Sequence, residues 1–142
     1  MELKFTKMQG AGNDFVVFND IDQQVDLSRE QLQRIADRHF GIGCDQILLV
    51  EPPRIEGTEF HYRIFNADGS EVQQCGNGVR CVAWMLARES GKRGSMHLGS
   101  PSGIVEAREE QDGRITVSMG APEFEPSRIP FVAETRADRY LL

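Results

Sequence analysis

The chain has 142 residues, and its 22 aspartates and glutamates outnumber its 16 lysines and arginines to give a formal net charge of −6. This acidic balance argues against a nucleic-acid binder or an anionic-membrane binder, because both need a basic face to meet phosphates. No apolar run approaches the ~20 residues that cross a bilayer. The first ten residues hold no apolar signal-peptide core, so we expect a cytoplasmic protein. Its three cysteines favour free thiols over a disulfide framework.

Short strands and two helices are predicted along the chain. A first helix over 28–38 has Ser28 as its N-cap and Gln31 as the partner in a capping box, and Gly41 and Gly43 follow its end. Alternating or continuous apolar runs predict the strands. These are 3–8, 15–19, 46–51, 60–65, 96–98, 104–109 and 115–119, with a turn over 66–70.

A second helix is predicted from Asn77 to about Glu89, with Gly91 just past its end. With Cys81, Trp84 and Met85 included, this helix is apolar nearly all round its surface. Such a helix belongs at the centre of a domain.

The character of the chain changes after Gly120. Pro122, Pro126 and Pro130 fall within nine positions, which rules out a regular helix and predicts an extended segment. We therefore divide the chain into a folded unit over 1–120 and a proline-rich linker over 121–142 that begins a further unit.

The strongest local feature is the run from Gln74 to Gly78 at the start of the second helix. A cysteine at a helix N-terminus lies at the positive end of the helix dipole, which favours a thiolate. The backbone N–H groups of Gly76, Asn77 and Gly78 would also bind a carboxylate or phosphate. The plain alternative is that Cys75 is a small residue in a tight turn. A nucleophilic Cys–His site would need a histidine nearby, such as His39 or His61.

Four uncharged amide side chains lie at predicted strand ends or helix starts, and a set of amides suits a zwitterionic ligand because each can donate and accept. They are Asn13, Gln46, Asn66 and Asn77. Cys44 and Cys81 are interpreted as small core residues. The spacing of cysteines and histidines matches no zinc site, so no metal is expected.

Four segments resemble, in order and spacing, the N-terminal half of bacterial diaminopimelate epimerases. They are MQGAGNDF, FGIGCDQILLVE, FHYRIFNADGSEVQQCGNGVRC and VSMGAPEFEP, which together run over nearly the whole chain. The resemblance implies a mixed α+β fold in which a barrel-like sheet wraps around a central helix, as one of two similar halves. It also implies interconversion of L,L- and meso-diaminopimelate without pyridoxal phosphate or metal.

The resemblance carries roles over to individual residues. Cys75 falls on one of the two catalytic cysteines of the family, and Cys44 and Cys81 fall on no catalytic position. Substrate-contacting positions of the family match Asn13, Gln46, Asn66, Gly76 and Asn77.

The resemblance also implies that an essential partner is missing. In the family, the second half supplies the other cysteine, and the C-terminal end of the chain returns to complete the first sheet. We therefore expect a half-enzyme that is inactive without its C-terminal half. Two alternatives stay open: a non-catalytic module that binds amino acids or partners through the Cys75–Asn77 cradle, and a homodimer that sets Cys75 opposite Cys75.

Overall fold

The computed structural model describes residues 2–22, 24–91 and 94–141. In this part of the chain, an eight-stranded sheet is combined with two α-helices and one 3-10 turn. The strands are β1 (Thr6–Gly10), β2 (Asn13–Asn19), β3 (Gln46–Glu51), β4 (Phe60–Asn66), β5 (Glu71–Val72), β6 (Ser95–Ser100), β7 (Gly103–Glu109) and β8 (Ile115–Val117). The helices are α1 (Arg29–Ala36) and α2 (Gly76–Ser90), and Pro126–Arg128 forms the 3-10 turn.

The sheet is mixed and curls around α2. Its strand order is β1-β2-β3-β4-β6-β7-β8, with β5 paired to β4. The β2–β3 and β4–β6 pairs are parallel, and the other pairs are antiparallel. The expected α+β fold, a barrel-like sheet around a central helix, is confirmed.

Both faces of the central strands are covered, because successive side chains of a strand point to opposite faces. Leu48 and Val50 face α2 and join the larger core, whereas Ile47 and Leu49 face α1 and join a smaller one. This double burial explains why the β2 and β3 sequences are continuous apolar runs.

The N-terminus of α1 agrees with the predicted capping box. The backbone N–H of Gln31 donates to the Ser28 hydroxyl, and the Gln31 side chain accepts from the Ser28 backbone N–H. The helix ends at Ala36, two residues before the predicted end at 38, and Asp37 is its C-cap.

The helix α2 begins at Gly76 and ends before Gly91, the glycine predicted just past its end, which adopts a left-handed conformation with φ 66°. The expectation that α2 is apolar nearly all round and central in the fold is confirmed, but Trp84, which was counted toward its apolar surface, is exposed. Arg80, Trp84 and Arg88 form an exposed stripe at four-residue spacing, and Trp84 is 43% exposed.

This stripe lies beside an opening in the sheet. Among the described residues, β1 pairs only with β2 and β8 pairs only with β7, so both strands are edges. A groove of about 360 Å³ lies between them, and the groove is lined by Met8, Cys81, Trp84 and Ile115 among others.

Beyond β8, the described residues contain no strand or α-helix, only the short turn at Pro126–Arg128. Neither of the two helices in the described ranges has the length and apolar character to cross a membrane.

Candidate functional site

The predicted site residues lie at one end of the sheet. The parallel strands β2 and β3 both begin at this end, with Asn13 and Gln46 as their first residues. The antiparallel strand β4 ends there at Asn66, which lies directly opposite Gln46 in the register. The topology therefore brings residues from three separate sequence segments together near the start of α2.

Cys75 is the N-cap residue of α2, as the sequence predicts. Its backbone is extended, with φ −147° and ψ 108°, and its carbonyl accepts a hydrogen bond from the Val79 N–H. Its half-buried side chain makes no capping bond and packs against the larger core. The N–H groups of the first turn have no intrahelical partner, so they are donors beside the thiol.

The two glycines after Cys75 serve different purposes. A Cβ on Gly78 would lie 3.2 Å from Cδ2 of Leu48, so this glycine allows α2 to pack closely on β3. Close packing against Leu48 therefore accounts for the missing side chain at position 78. A Cβ on Gly76 would instead lie 3.3 Å from Sδ of Met119.

Met119 is a neighbour of the site that sequence reasoning missed. Its side chain is half exposed, and its sulfur accepts a 3.7 Å hydrogen bond from Nε2 of Gln74. It therefore places a thioether over the first turn of α2. No local pattern links Met119 to Gln74, which lies 45 residues earlier.

Asn13 and Asn77 are in direct contact and form the centre of a hydrogen-bond chain. Nδ2 of Asn77 donates to Oδ1 of Asn13 at 2.7 Å, and Nη1 of Arg80 donates to Oδ1 of Asn77 at 2.8 Å. Nδ2 of Asn13 donates to Oδ2 of Asp45 at 3.3 Å. Sequence reasoning identified the two amides but missed Arg80 and Asp45.

Gln46 and Asn66 belong to a second hydrogen-bond chain. Nε2 of Gln46 donates to Oδ1 of Asn66 at 3.0 Å, and Nδ2 of Asn66 lies 3.4 Å from the Ser70 hydroxyl oxygen. The Ser70 hydroxyl in turn donates to Oδ1 of Asp68 at 2.5 Å. All four predicted amides are thus held by side-chain hydrogen bonds rather than left free.

A cluster of ion pairs lies at the Asp45 end of the hydrogen-bond chain through Asn13 and Asn77. Asp14 accepts hydrogen bonds from both terminal nitrogens of Arg38, from Lys7 and from the backbone N–H of Asp45. The Arg38 guanidinium and the Lys7 ammonium hold the pKa of the Asp14 carboxyl well below its usual range. Asp14 therefore remains a carboxylate at any physiological pH.

The remaining cysteines are core residues, which confirms their interpretation. Cys44 is 2% exposed and Cys81 is 5% exposed, and burial raises the pKa of both thiols. His61 pairs with Glu51 at the opposite end of β3 and β4 from the amides, so it does not serve Cys75 as a nearby base. In the described ranges, no group of three histidine, cysteine or acidic side chains is arranged to hold a metal ion.

The architecture is shared with solved structures of epimerases and racemases. It matches a hydroxyproline epimerase from Agrobacterium vitis with a TM-score of 0.65 and 15% identity, over 82% of this chain and 41% of that one. A probable proline racemase from Agrobacterium radiobacter gives a TM-score of 0.65 at 17% identity, over 83% and 42% of the two chains. This likeness defines the class of fold.

Sequence comparison defines the family within that class. Residues 5–125 match the family model of diaminopimelate epimerase. The diaminopimelate epimerase of Nitrosospira multiformis is 54% identical over 144 residues, which cover 100% of this chain and 51% of the relative. That of Aromatoleum aromaticum is 52% identical over 139 residues, covering 96% and 50%. The chain belongs to the diaminopimelate epimerase family and spans about half the length of the curated relatives it matches.

Proposed function

We propose that this chain is the N-terminal half of a diaminopimelate epimerase and that Cys75 is one of its two acid/base groups. One observation carries the proposal: a half-buried thiol at the N-terminus of α2, whose first turn offers backbone donors and carries Asn77 bonded to Asn13, in a chain of this family. The substrate-contacting groups we propose are Asn13, Gln46, Asn66, Gly76 and Asn77.

The proposed reaction is a proton exchange at the α-carbon of the substrate. The thiolate of one cysteine takes the α-proton, and the electron pair of the broken C–H bond stays on the carbon and spreads into the adjacent carboxylate. The thiol of the second cysteine then gives its proton to the opposite face of that carbon, which inverts the centre. Each turnover exchanges the protonation states of the two cysteines, and the proposed reaction uses no pyridoxal phosphate or metal.

The N-terminus of α2 suits the charge that this reaction develops. A carboxylate bound at the first-turn N–H groups would gain negative charge in the transition state, where preorganised donors stabilise it most. Cys75 begins the same turn, so the base and the donors are held by one rigid element.

The reaction needs a second thiol on the opposite face, and the other two cysteines are buried in the cores. We therefore propose that the chain is inactive alone and pairs with a C-terminal half. The groove between the β1 and β8 edges supports this pairing, because an edge strand presents unpaired N–H and C=O groups that a further strand can use.

The test is α-hydrogen exchange of L,L-diaminopimelate in D₂O, followed by NMR. The chain is assayed alone and with a separately produced C-terminal half of the Nitrosospira multiformis relative. We expect deuterium incorporation only with both halves, and a fall of about 10²-fold or more in Cys75→Ala, the loss typical of removing a general acid/base. Cys44→Ala, which changes a thiol buried in the smaller core away from the groove, is the matched control.

Three outcomes would overturn parts of the proposal. Exchange by the chain alone would show that the second half is unnecessary. Unchanged exchange in Cys75→Ala would remove Cys75 from the reaction. Binding of L,L-diaminopimelate without exchange in any combination would favour the alternative, a non-catalytic binding module.

A further inference from the structure

The hydrogen-bond chain through Asn13 and Asn77 has a fixed direction. The Arg80 guanidinium at one end has only donors, and the Asp45 carboxylate at the other end has only acceptors. An amide between them must turn its oxygen toward Arg80 and its nitrogen toward Asp45. Reversing either amide would set donor against donor at one end and acceptor against acceptor at the other.

The acceptor end of the chain is itself held in place. Oδ2 of Asp45 accepts a second hydrogen bond, from the backbone N–H of Asp14 at 3.1 Å. Oδ1 of Asp45 is paired with Nη2 of Arg38 at 2.9 Å, and the same nitrogen contacts Asp14 at 2.7 Å. Asp45 is therefore oriented by a backbone group and by a cation bonded to two carboxylates.

Counting donors then shows what the two amides can offer a ligand. Asn77 uses its oxygen for Arg80 and one N–H for Asn13, which leaves its second N–H. Asn13 uses its oxygen for Asn77 and one N–H for Asp45, which also leaves one N–H. Each amide therefore keeps one N–H whose direction is fixed by the hydrogen-bond chain, besides a second lone pair on an oxygen that already accepts one hydrogen bond.

We propose that Arg80 and Asp45 are positioning residues that fix the orientation of Asn13 and Asn77, so that each amide presents its remaining N–H in a fixed direction to an acceptor group of the ligand, such as a carboxylate. That the ligand is the amino acid diaminopimelate rests on the proposed function; the locking of the amides does not. Arg80 and Asp45 would act through the amides they bond to, not by contacting the ligand themselves.

The first test uses the chain as it is, labelled with ¹⁵N-asparagine. Resonances are assigned with Asn13→Asp and Asn77→Asp. We expect one proton of each side-chain amide to exchange slowly with solvent, because it is hydrogen-bonded. In Arg80→Met, exchange of the Asn77 amide protons should accelerate about tenfold, whereas Arg80→Lys retains a donor and should restore much of the protection.

Arg88→Met is the matched control, because Arg88 is exposed on the same face of α2, two turns further along, and is bonded to Glu109. Circular dichroism establishes that each variant folds. Equal amide exchange in Arg80→Met and Arg88→Met would overturn the proposal. Faster exchange of the Asn13 amide protons in Asp45→Leu would support the positioning role of Asp45. An unchanged exchange rate would overturn that role.

The second test uses the chain paired with the C-terminal half. An interaction made equally in the ground state and the transition state changes KM and leaves kcat unaltered. We therefore expect Arg80→Met to raise KM for L,L-diaminopimelate about tenfold with kcat within about threefold, and Arg80→Lys to recover most of the loss. A KM that matches that of Arg88→Met would contradict the positioning role. If the wild-type pair is inactive, the proposed function fails, and the amide-exchange measurement still decides this inference.

Discussion

His61 is a buried imidazole at the opposite end of the sheet from Cys75. It is 6% exposed, and its Nδ1 has no hydrogen-bond partner among the described residues. That atom lies 2.8 Å from where a Cβ on Gly99 would be, so the glycine makes room for the ring. Burial lowers the pKa of His61, and the positive charges of Arg54 and Arg63 act in the same direction, opposed by Glu51 and Glu71.

This shift makes the stability of the fold depend on pH. In the unfolded chain His61 titrates near 6.5, and in the folded protein its pKa is lower. As the pH falls through 6.5, the unfolded state therefore binds a proton first, and the free energy of unfolding decreases. Carboxylates with lowered pKa contribute only at more acidic pH, so they do not obscure this window.

We expect His61→Leu to reduce the difference in unfolding free energy between about pH 8 and about pH 5.5. Urea denaturation at the two pH values measures it, and His97→Gln, which changes an exposed imidazole on β6, is the control. A variant with the full wild-type pH dependence would show that another group is responsible.

At the level of single residues, the sequence allowed us to predict features that depend only on neighbouring positions in the chain. Cys75 and Asn77 could be placed at a helix start because glycine spacing and apolar periodicity mark that start within a few residues. The contact between Asn13 and Asn77 spans 64 positions, and only the tertiary fold creates it. Arg80 is three residues after Asn77, so helical spacing is the signal that would have paired them.

At the scale of elements, the loop after α1 shows how a helix end is built. The carbonyl of Ile35 accepts hydrogen bonds from the backbone N–H groups of Ile42 and Gly43, and the carbonyl of Asp37 accepts one from Gly41. The chain thus folds back on its own helix, and the carbonyls left open at the C-terminus are satisfied. A Cβ on Gly41 would lie 1.9 Å from the Arg34 carbonyl oxygen.

We expect Gly41→Ala to lower the free energy of unfolding by about 2–4 kcal/mol, because backbone atoms must move to relieve this overlap. The control is Gly113→Ala in the turn before β8, where φ is +82° but the space is open. Its cost should be about 1–2 kcal/mol, the penalty for a left-handed alanine. Equal losses in urea denaturation would contradict the steric argument.

Element types were predictable because their apolar patterns are strong, and the misplaced boundaries have physical causes. β1 lies at Thr6–Gly10 rather than 3–8, because its register is fixed by pairing with β2 and by the close approach of Gly10 to Cys81. β5 has two residues, too few to form a pattern. Trp84 looked like a core residue because an opening between two strands, which exposes it, leaves no trace in the sequence of the helix.

At the scale of the molecule, the sheet covers α2 on every side except between β1 and β8. The helix contacts strands at both ends of the strand order, β1 and β8, as well as β2, β3 and β7. These strands come from segments before and after the helix. The strands that carry the candidate site and the strands that border the groove therefore both pack on α2. A partner seated in the groove would therefore touch the same helix whose first turn holds Cys75.

That opening also provides a spectroscopic reporter. Trp84 is the chain's single tryptophan, it lines the groove, and the Arg88 guanidinium lies 4.3 Å from the centre of its ring. Burial beneath an added strand would remove water from the indole, so we expect its fluorescence to shift to shorter wavelength as a C-terminal half is titrated in. Cys75→Ala should give the same titration curve, and an unchanged spectrum with a pair shown to be active would mean that the half docks elsewhere. Trp84, which is exposed where the sequence predicted burial, thus allows assembly of the two halves to be followed by fluorescence, independently of catalysis.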